Sequence, residues 1–282
     1  MPDTCDIIDT AIRAAREAGR IALEGFRSTD LDVELKSHIH DPVTRYDSAC
    51  EARIREVILA AFPGSVIVGE EAGESAGSGP LTWYVDPIDG TANFARGIPM
   101  WAVSIGVARD RELIAGVILD PVADQLFWAD ERGAFLVDGR AGGEEVPLRS
   151  RGNTVPERAT VALNFPLARD LVHFPELALA QFSEVTHRFA QVRGLGSTCI
   201  ALAWIAAGWI DATISFETNP WDVAAGAYIV RQAGGIYESY RDGELLPPGG
   251  AHLGPHYYAA VAGGDFELLH DIMRTQSRRP LH

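Results

Sequence analysis

Two carboxylates follow directly on an apolar run within residues 83–94, which read WYVDPIDGTANF. Asp86 and Asp89 lie three residues apart with Pro87 between them, and Gly90 comes next. Carboxylates at the end of a strand suit Mg²⁺, and free N–H groups where a helix begins suit a phosphate oxygen. Common turn dipeptides would be a simpler explanation, but they leave the preceding apolar run unexplained. The pattern indicates metal-assisted hydrolysis of a phosphate ester, a reaction that is very slow unaided.

Three other segments place an acid at a similar position. Glu70 follows an apolar run, Asp47 lies where a loop leads into a predicted helix, and Asp222 lies where another helix begins. Each acid has a simpler explanation, as part of a solvated loop, as a helix cap, or as a first-turn acid favoured by the helix dipole. Taken together with the first pair, they predict a single convergent cluster of carboxylates.

With these motifs in this order, the chain resembles the inositol monophosphatase family, which belongs to the lithium-sensitive, Mg²⁺-dependent phosphatases. The resemblance covers nearly the whole sequence. It implies a layered αβαβα fold, commonly dimeric, with two or three Mg²⁺ ions in the site. The matching positions are Lys36, Asp41-Pro42-Val43-Thr44, Asp47, Gly69-Glu70-Glu71, Asp86-Pro87-Ile88-Asp89-Gly90-Thr91, Asn93-Phe94 and Trp221-Asp222-Val223-Ala224-Ala225-Gly226.

The resemblance also implies a set of metal ligands. Glu70, Asp86 and the carbonyl of Ile88 would hold a first ion. Asp86, Asp89 and Asp222 would hold a second, so that Asp86 bridges the two. Two ions held in this way can clamp the attacking and leaving oxygens of an in-line displacement.

Catalytic and phosphate-binding roles are carried over in the same way. Thr91, helped by Asp47, would orient the attacking water, and Glu70 belongs with them among the catalytic residues. The backbone of Gly90 and Thr91 would bind the phosphate, with Asp89 beside it. The resemblance implies no cysteine or histidine nucleophile.

The positions that would contact the leaving group depart from the family pattern. Inositol-specific members carry a glutamate seven residues before the Trp-Asp aspartate, where this chain has Ser215, and the nearest glutamate is Glu217. Either the loop is remodelled and Glu217 substitutes, or the leaving group is not myo-inositol. Ser197 and Asn164 resemble other substrate-side positions, although a helix cap explains Ser197 equally well. Inositol phosphate is favoured, and histidinol phosphate, 3′-phosphoadenosine 5′-phosphate, NADP and fructose 1,6-bisphosphate remain alternatives.

Charge and cysteine content restrict the partners and the compartment. The 282 residues contain 24 Lys and Arg against 39 Asp and Glu, a net charge of −15. Such a surface repels nucleic acid and anionic lipid, so we expect a small phosphorylated substrate and no nucleic-acid or membrane partner. The three cysteines are scattered, and no signal peptide is visible, which favours a reducing, cytoplasmic setting. A regulatory, protein-binding family member with secondary catalysis is the alternative from another functional class.

The elements that must position these residues follow from periodicity and turn signals. An α/β fold is expected as a single domain over 1–282, with a helix-plus-antiparallel-sheet part over about 1–150 and a smaller α/β part over about 151–282. Helices are predicted over 6–26, 47–61, 175–189, 197–207 and 223–233 and at the end of the chain. Strands are predicted over 66–68, 81–85, 102–108, 113–119, 126–129, 160–164, 191–192, 212–214, 235–238 and 258–262, with a surface loop over 73–80.

Overall fold

A computed structural model describes residues 3–28, 31, 33–35 and 42–278. Lys36 and Asp41 of the predicted motif set lie outside the described residues. The helices are α1 (Thr4–Gly25), α2 (Arg45–Ala61), α3 (Thr91–Ala95), α4 (Ala168–His173), α5 (Pro175–Arg188), α6 (Thr198–Ala207), α7 (Pro220–Gln232) and α8 (Glu267–Gln276). Short 3₁₀ turns lie at Gly139–Ala141, Pro156–Arg158 and Ala251–Leu253.

The strands form two principal sheets and one short pair. The first part of the chain contains β1 (Glu34–Leu35), β2 (Pro42–Val43), β3 (Val66–Gly69), β4 (Gly73–Glu74), β5 (Leu81–Asp89), β6 (Ala102–Arg109), β7 (Glu112–Asp120), β8 (Gln125–Asp130), β9 (Gly133–Asp138) and β10 (Glu145–Pro147). The second part contains β11 (Thr160–Leu163), β12 (Gln191–Arg193), β13 (Ala212–Phe216), β14 (Ile236–Arg241), β15 (Glu244–Leu245) and β16 (His256–Ala260).

The large sheet has the order β10-β9-β8-β7-β6-β5-β3-β4 and is antiparallel except where β3 pairs with β5. The smaller sheet has the order β12-β11-β13-β16-β14-β15 and is mixed. Helices α1 and α2 cover one face of the large sheet, α6 and α7 lie between the two sheets, and α5 and α8 cover the far face of the smaller sheet. The predicted layered αβαβα architecture is confirmed. Division into one domain or two stays a prediction.

Close packing of α7 on the large sheet depends on a pair of glycines. Gly106 of β6 and Gly116 of β7 are register partners beneath this helix. A Cβ atom at Gly106 would lie 2.6 Å from the Cβ of Ala224, and one at Gly116 would lie 2.6 Å from the carbonyl oxygen of Ala225. Because neither glycine carries a side chain, the helix backbone approaches the sheet directly. The small residues of α7 are therefore part of its docking surface.

The element boundaries show where the sequence predictions were wrong. Helix α2 begins at Arg45, two residues before the predicted start, because Thr44 and Asp47 form a capping box. Strand β5 continues through Asp89, where it was predicted to end at residue 85. The predicted loop 73–80 begins with the short strand β4, β16 begins two residues before its predicted start, and α4, β9 and β10 were not predicted. No helix in the described part of the chain has the length and apolar character needed to cross a membrane.

Candidate active site

A bulge in β5 brings Asp86 and Asp89 to one face of the large sheet. In a regular strand, side chains three residues apart point to opposite faces. Here Asp86 pairs with Ser104 of β6 and Asp89 pairs with Ala102. An advance of three residues along β5 therefore matches an advance of two residues along β6, and β5 contains one extra residue. Pro87, which has no N–H to donate, lies within the bulge. Both carboxylates therefore face the layer that contains α6 and α7.

Glu70 lies in the turn of the β3–β4 hairpin, next to this bulge. Its backbone N–H donates to the carbonyl of Val85 at 3.2 Å, which fixes the turn against β5. The charge of Glu70 contributes to raising the pKa of Asp47, Asp86 and Asp89, and it also raises that of Asp222. The predicted acids from four separate segments thus lie within electrostatic reach of one another.

Asp86 is buried, with 2% of its surface exposed. Burial, followed by the neighbouring charges of Glu70, Asp89 and Asp222, raises its pKa well above the ordinary value. One carboxylate oxygen accepts from the N–H of Ile88 at 3.0 Å, which holds the side chain over its own turn. A carboxyl group in this setting is easily protonated unless a cation is bound beside it.

Asp89 faces the first turn of α6. It accepts hydrogen bonds from the N–H groups of Cys199 at 2.9 Å and Thr198 at 3.2 Å, and from the hydroxyl of Ser197. Burial raises its pKa to about 6, although these three hydrogen bonds act in the opposite direction. Ser197 is itself buried and caps α6 by accepting from the N–H of Ile200 at 3.1 Å. Its observed contacts are with the protein, so its role in substrate binding stays a prediction.

Asp222 lies in the first turn of α7, where the helix approaches the sheet. It accepts from the N–H of Asn219 at 2.7 Å as part of a capping box, so the carboxylate is oriented by its own helix. Burial raises its pKa to about 8, followed in the same direction by the charges of Asp89 and Glu70. The sequence analysis explained Asp222 as a first-turn acid, and the structure places it in the first turn of α7. The capping box with Asn219 was not predicted.

Asp47 and Thr91 form a second polar group at the edge of this cluster. Asp47 is fully buried and accepts from the N–H of Thr44 at 2.8 Å and from its hydroxyl at 2.6 Å. The hydroxyl of Thr91 lies 3.1 Å from Asp47 and 3.0 Å from the carbonyl oxygen of Ile88, and it can donate its single proton to either. Burial raises the pKa of Asp47. The pair therefore has the geometry of a hydroxyl oriented by a carboxylate that can accept a proton.

Gly90 allows the chain to turn from β5 into α3. Its φ of 93° is in the left-handed region, and a Cβ atom there would lie 3.1 Å from the carbonyl oxygens of Gly196 and Met100. Asn93 ties the same turn to the neighbouring loop by donating to the carbonyls of Met100 and Leu195 at 2.7 and 2.8 Å. The N–H groups of Asn93 and Phe94 donate to the carbonyl of Gly90 at 2.9 and 3.0 Å, which closes the first turn of α3.

The donor set fits a hard divalent cation. Carboxylate oxygens together with a backbone carbonyl are the ligands that Mg²⁺ takes in proteins. Among the described residues, no three His, Cys, Asp or Glu side chains already converge as a metal-binding cluster. Several of these acids accept hydrogen bonds from protein N–H groups. The fit rests on the mutual repulsion of buried carboxylates, which a bound cation would relieve.

The leaving-group side contains a cavity of about 900 Å³ that reaches Gly196, next to Ser197 and the acids. Asn164, Phe165 and Arg193 are among the residues in its wall. Ser215 is 5% exposed within β13, and Glu217 is partly buried just beyond this strand. Neither side chain is among the described residues that line the cavity. Contact of Ser215 or Glu217 with a leaving group stays a prediction.

Some residues that shape the site were not predicted from the sequence. Glu51 of α2 is buried and accepts hydrogen bonds from the turn that follows Glu70. Its position one helical turn after Asp47 was the available signal. Cys199 contributes a backbone N–H to Asp89, and burial raises the pKa of its thiol well above the ordinary range, so the group is protonated at neutral pH. This cysteine is not an activated nucleophile.

Comparison with known proteins identifies the class. The model of the inositol monophosphatase family matches residues 3–270, and the chain belongs to that family. Relatives include an inositol-1-monophosphatase of Caulobacter vibrioides, 37% identical over 79% of this chain and 86% of its own length. A protein named fructose-1,6-bisphosphatase/inositol-1-monophosphatase from Aquifex aeolicus is 32% identical over 82% and 84%. The Nus factor SuhB of Pasteurella multocida is 35% identical over 94% and 95%.

Solved structures agree with this assignment. The extragenic suppressor protein SuhB of Bartonella henselae superposes with a TM-score of 0.80 at 27% identity, covering 98% of this chain and 99% of that one. The resemblance found in the sequence is therefore confirmed. An inositol monophosphatase is a phosphoric monoester hydrolase, and membership of the family places this chain in that enzyme class.

Proposed function

We propose that this protein hydrolyses a small phosphomonoester by Mg²⁺-dependent attack of water, with inositol monophosphate or a related polyol or sugar phosphate as the substrate. The observation that carries the proposal is the approach of Glu70, Asp86, Asp89 and Asp222 to one another beside the Thr91–Asp47 pair. Membership of the inositol monophosphatase family supports the same reaction.

Five residues would hold the metal in this proposal. Glu70, Asp86 and the carbonyl of Ile88 would hold a first ion, and Asp86, Asp89 and Asp222 would hold a second, with two or three ions expected in all. The carbonyl of Ile88 has a second lone pair besides the one that faces Thr91. Mg²⁺ bound there supplies positive charge to the phosphate and lowers the pKa of water.

The remaining steps belong to the residues of the chain. The hydroxyl of Thr91 orients the attacking water, and Asp47, together with Glu70 among the catalytic residues, takes up or relays its proton. The raised pKa of Asp47 suits a proton acceptor. The backbone N–H groups at Gly90 and Thr91 would bind the phosphate. Asp89, beside the phosphate, would act on it through the metal ion that it helps to hold.

The proposal includes several candidate leaving groups. A buried Ser215 in place of the glutamate of inositol-specific members removes one partner for polyol hydroxyls. The adjoining cavity, with Asn164 and Arg193 in its wall, offers room for a leaving group larger than a six-carbon ring. Histidinol phosphate, 3′-phosphoadenosine 5′-phosphate, NADP and fructose 1,6-bisphosphate are therefore tested beside inositol phosphates.

The physiological setting follows from the charge and the family. A net charge of −15 supports a small phosphorylated substrate and argues against nucleic-acid or anionic-membrane partners. We propose a cytoplasmic homodimer with a single phosphatase domain in each subunit and with sensitivity to lithium.

A regulatory function is the second candidate. The relative named Nus factor SuhB covers almost the whole chain, which favours a protein-binding role with catalysis secondary. The retention of all four acids and of the Thr91–Asp47 pair favours turnover. The following experiment distinguishes the two.

Phosphate release is measured from a panel of phosphomonoesters, with Mg²⁺ and with a chelator. The variant is Asp86→Asn, which retains the shape of the side chain but not its charge. The control is Asp242→Asn in the exposed turn between β14 and β15, where the φ of 54° is one that asparagine also adopts. Metal-dependent release of phosphate in the wild type and the control, lost in Asp86→Asn, is expected. Absence of turnover on every substrate by a folded, metal-binding protein would contradict the enzymatic proposal and favour the regulatory one.

A further inference from the structure

Glu51 is a buried carboxylate outside the predicted set of acids, and it lies directly behind Glu70. Only 1% of its side chain is exposed. It accepts hydrogen bonds from the N–H of Glu71 at 2.7 Å and from the N–H of Ala72 at 3.0 Å. These two N–H groups form the turn of the β3–β4 hairpin immediately after Glu70. Hydrogen bonds to an ionised acceptor are among the stronger ones in proteins, so the turn is held firmly from inside the molecule.

Arg55 completes this arrangement from the next turn of α2. Its Nε donates to Glu51 at 2.8 Å, and one of its terminal nitrogens donates to the carbonyl of Gly73. Glu51 and Arg55 therefore contact both sides of the turn that contains Glu70. The Arg55 side chain is 16% exposed, which makes it the more accessible of the two for substitution.

Gly69 shows how closely Glu51 approaches the hairpin. A Cβ atom at Gly69 would overlap the carboxylate of Glu51, well inside contact distance. The glycine before Glu70 is therefore explained by close approach of a side chain, since its φ is not in the left-handed region. The hairpin turn and the Glu51 side chain are therefore in close contact.

Glu51 also shares a helix face with Asp47, four residues earlier on α2. Asp47 contacts the hydroxyl of Thr91, while Glu51 contacts the turn that follows Glu70. One face of one helix thus contacts both the water-orienting threonine and the hairpin of the first metal ligand.

We propose that Glu51, supported by Arg55, is a positioning residue that holds Glu70 in place for the first metal ion. This inference rests on the proposed function, because it takes Glu70 as a metal ligand. Residues that orient metal ligands through hydrogen bonds change metal affinity by about 10–100-fold when they are substituted. The effect should appear as weaker metal binding and a higher KM for Mg²⁺, while kcat at saturating Mg²⁺ is largely retained.

The test measures Mn²⁺ binding to the full chain by electron paramagnetic resonance, without substrate. Glu51→Gln and Arg55→Met are compared with the wild type, and Glu56→Gln is the matched control because Glu56 is on the same helix and 70% exposed. Thermal unfolding of each variant is recorded in parallel. The decisive variant is Arg55→Met. Removing a positive charge near the site would strengthen metal binding by electrostatics alone, whereas loss of positioning weakens it.

The expected result is a dissociation constant for Mn²⁺ raised about tenfold or more in Glu51→Gln and raised in Arg55→Met, with Glu56→Gln unchanged. Unchanged or tighter binding in Arg55→Met would overturn the inference even if Glu51→Gln did not fold. Unchanged binding in a folded Glu51→Gln would also overturn it. Failure of the wild type to bind Mn²⁺ would instead overturn the proposed metal site itself.

Discussion

Substitution of Gly106 by alanine tests how the fold positions Asp222. The new Cβ would lie 2.6 Å from the Cβ of Ala224 and 2.8 Å from the backbone nitrogen of Ala225. Carbon atoms in contact are normally about 3.5–4.0 Å apart, so α7 must withdraw from the sheet by about 1 Å. Asp222 lies two residues before Ala224, and it should move with the helix.

The magnitude follows from the cost of overpacking. Extra atoms in a packed core cost about 1–3 kcal/mol of the free energy of unfolding. For a chain of this size each kcal/mol lowers Tm by about 2–4 °C, which predicts a drop of roughly 2–12 °C. A displacement of about 1 Å at a catalytic group can cost about a hundredfold in rate, so kcat/KM should fall more than stability alone would suggest.

The assay compares thermal unfolding and phosphate release for Gly106→Ala, Gly116→Ala and a control. Gly64→Ala is the control because its Cβ would meet nothing closer than 3.7 Å. Both sheet variants should lose stability and activity, and the control should retain both. Wild-type Tm and activity in Gly106→Ala would show that the absence of a side chain at Gly106 does not set the position of Asp222.

Two further predictions concern the proton path and pH. Thr91→Ala should lower kcat by about 10²–10⁴-fold and should leave the affinity for Mn²⁺ close to that of the wild type. Steady-state kinetics and a Mn²⁺ binding titration measure the two effects. A wild-type kcat in Thr91→Ala would show that Thr91 does not orient the attacking water. Burial lowers the pKa of His252 to about 4, below the value of about 6.5 expected in the unfolded chain. Because the unfolded state binds the extra proton, the stability contributed by neutral His252 is complete above pH ~6.5 and is lost as pH falls through about 4. The loss should be on the order of 3 kcal/mol, and His252→Phe, which can keep the ring contact with Tyr84, should reduce it in urea unfolding at several pH values. Equal pH dependence in both proteins would contradict this.

The sequence predicted the layers and the general position of the acids because those features depend on local patterns. Helix α1 follows from apolar residues on one face, and its buried residues include Ile8, Ala11 and Ala15. The acids were found because each follows a strand or begins a helix. Such positions are visible from residue order alone.

Other features depend on contacts between distant segments. The bulge that aligns Asp86 with Asp89 is defined by its register against β6, which no local pattern shows. Glu51 looks like an ordinary helical acid until the hairpin at Glu70 folds against it. The capping box at Thr44 was visible in principle, but Asp47 and Ser48 can each cap a helix as well, which led to a later predicted start.

The leaving-group side was the hardest part to predict. Ser215 was selected by counting residues from Asp222, whereas its surroundings are set by pairing with Tyr257 on the antiparallel neighbour β16. The cavity beside Gly196 combines residues from several elements, among them Asn164 after β11 and Arg193 of β12. A binding surface built from separate loops has no signature in any one of them.

In the proposed function, the carboxylates around Asp86 form one divalent-metal site. Anomalous X-ray scattering from crystals of the wild-type protein grown with Mn²⁺ tests this most directly, since it locates the ion without reference to activity. We expect anomalous density in contact with Asp86 and with at least two of Glu70, Asp89 and Asp222. Well-ordered crystals in saturating Mn²⁺ with no density at Asp86, or with ions bound only elsewhere, would contradict it.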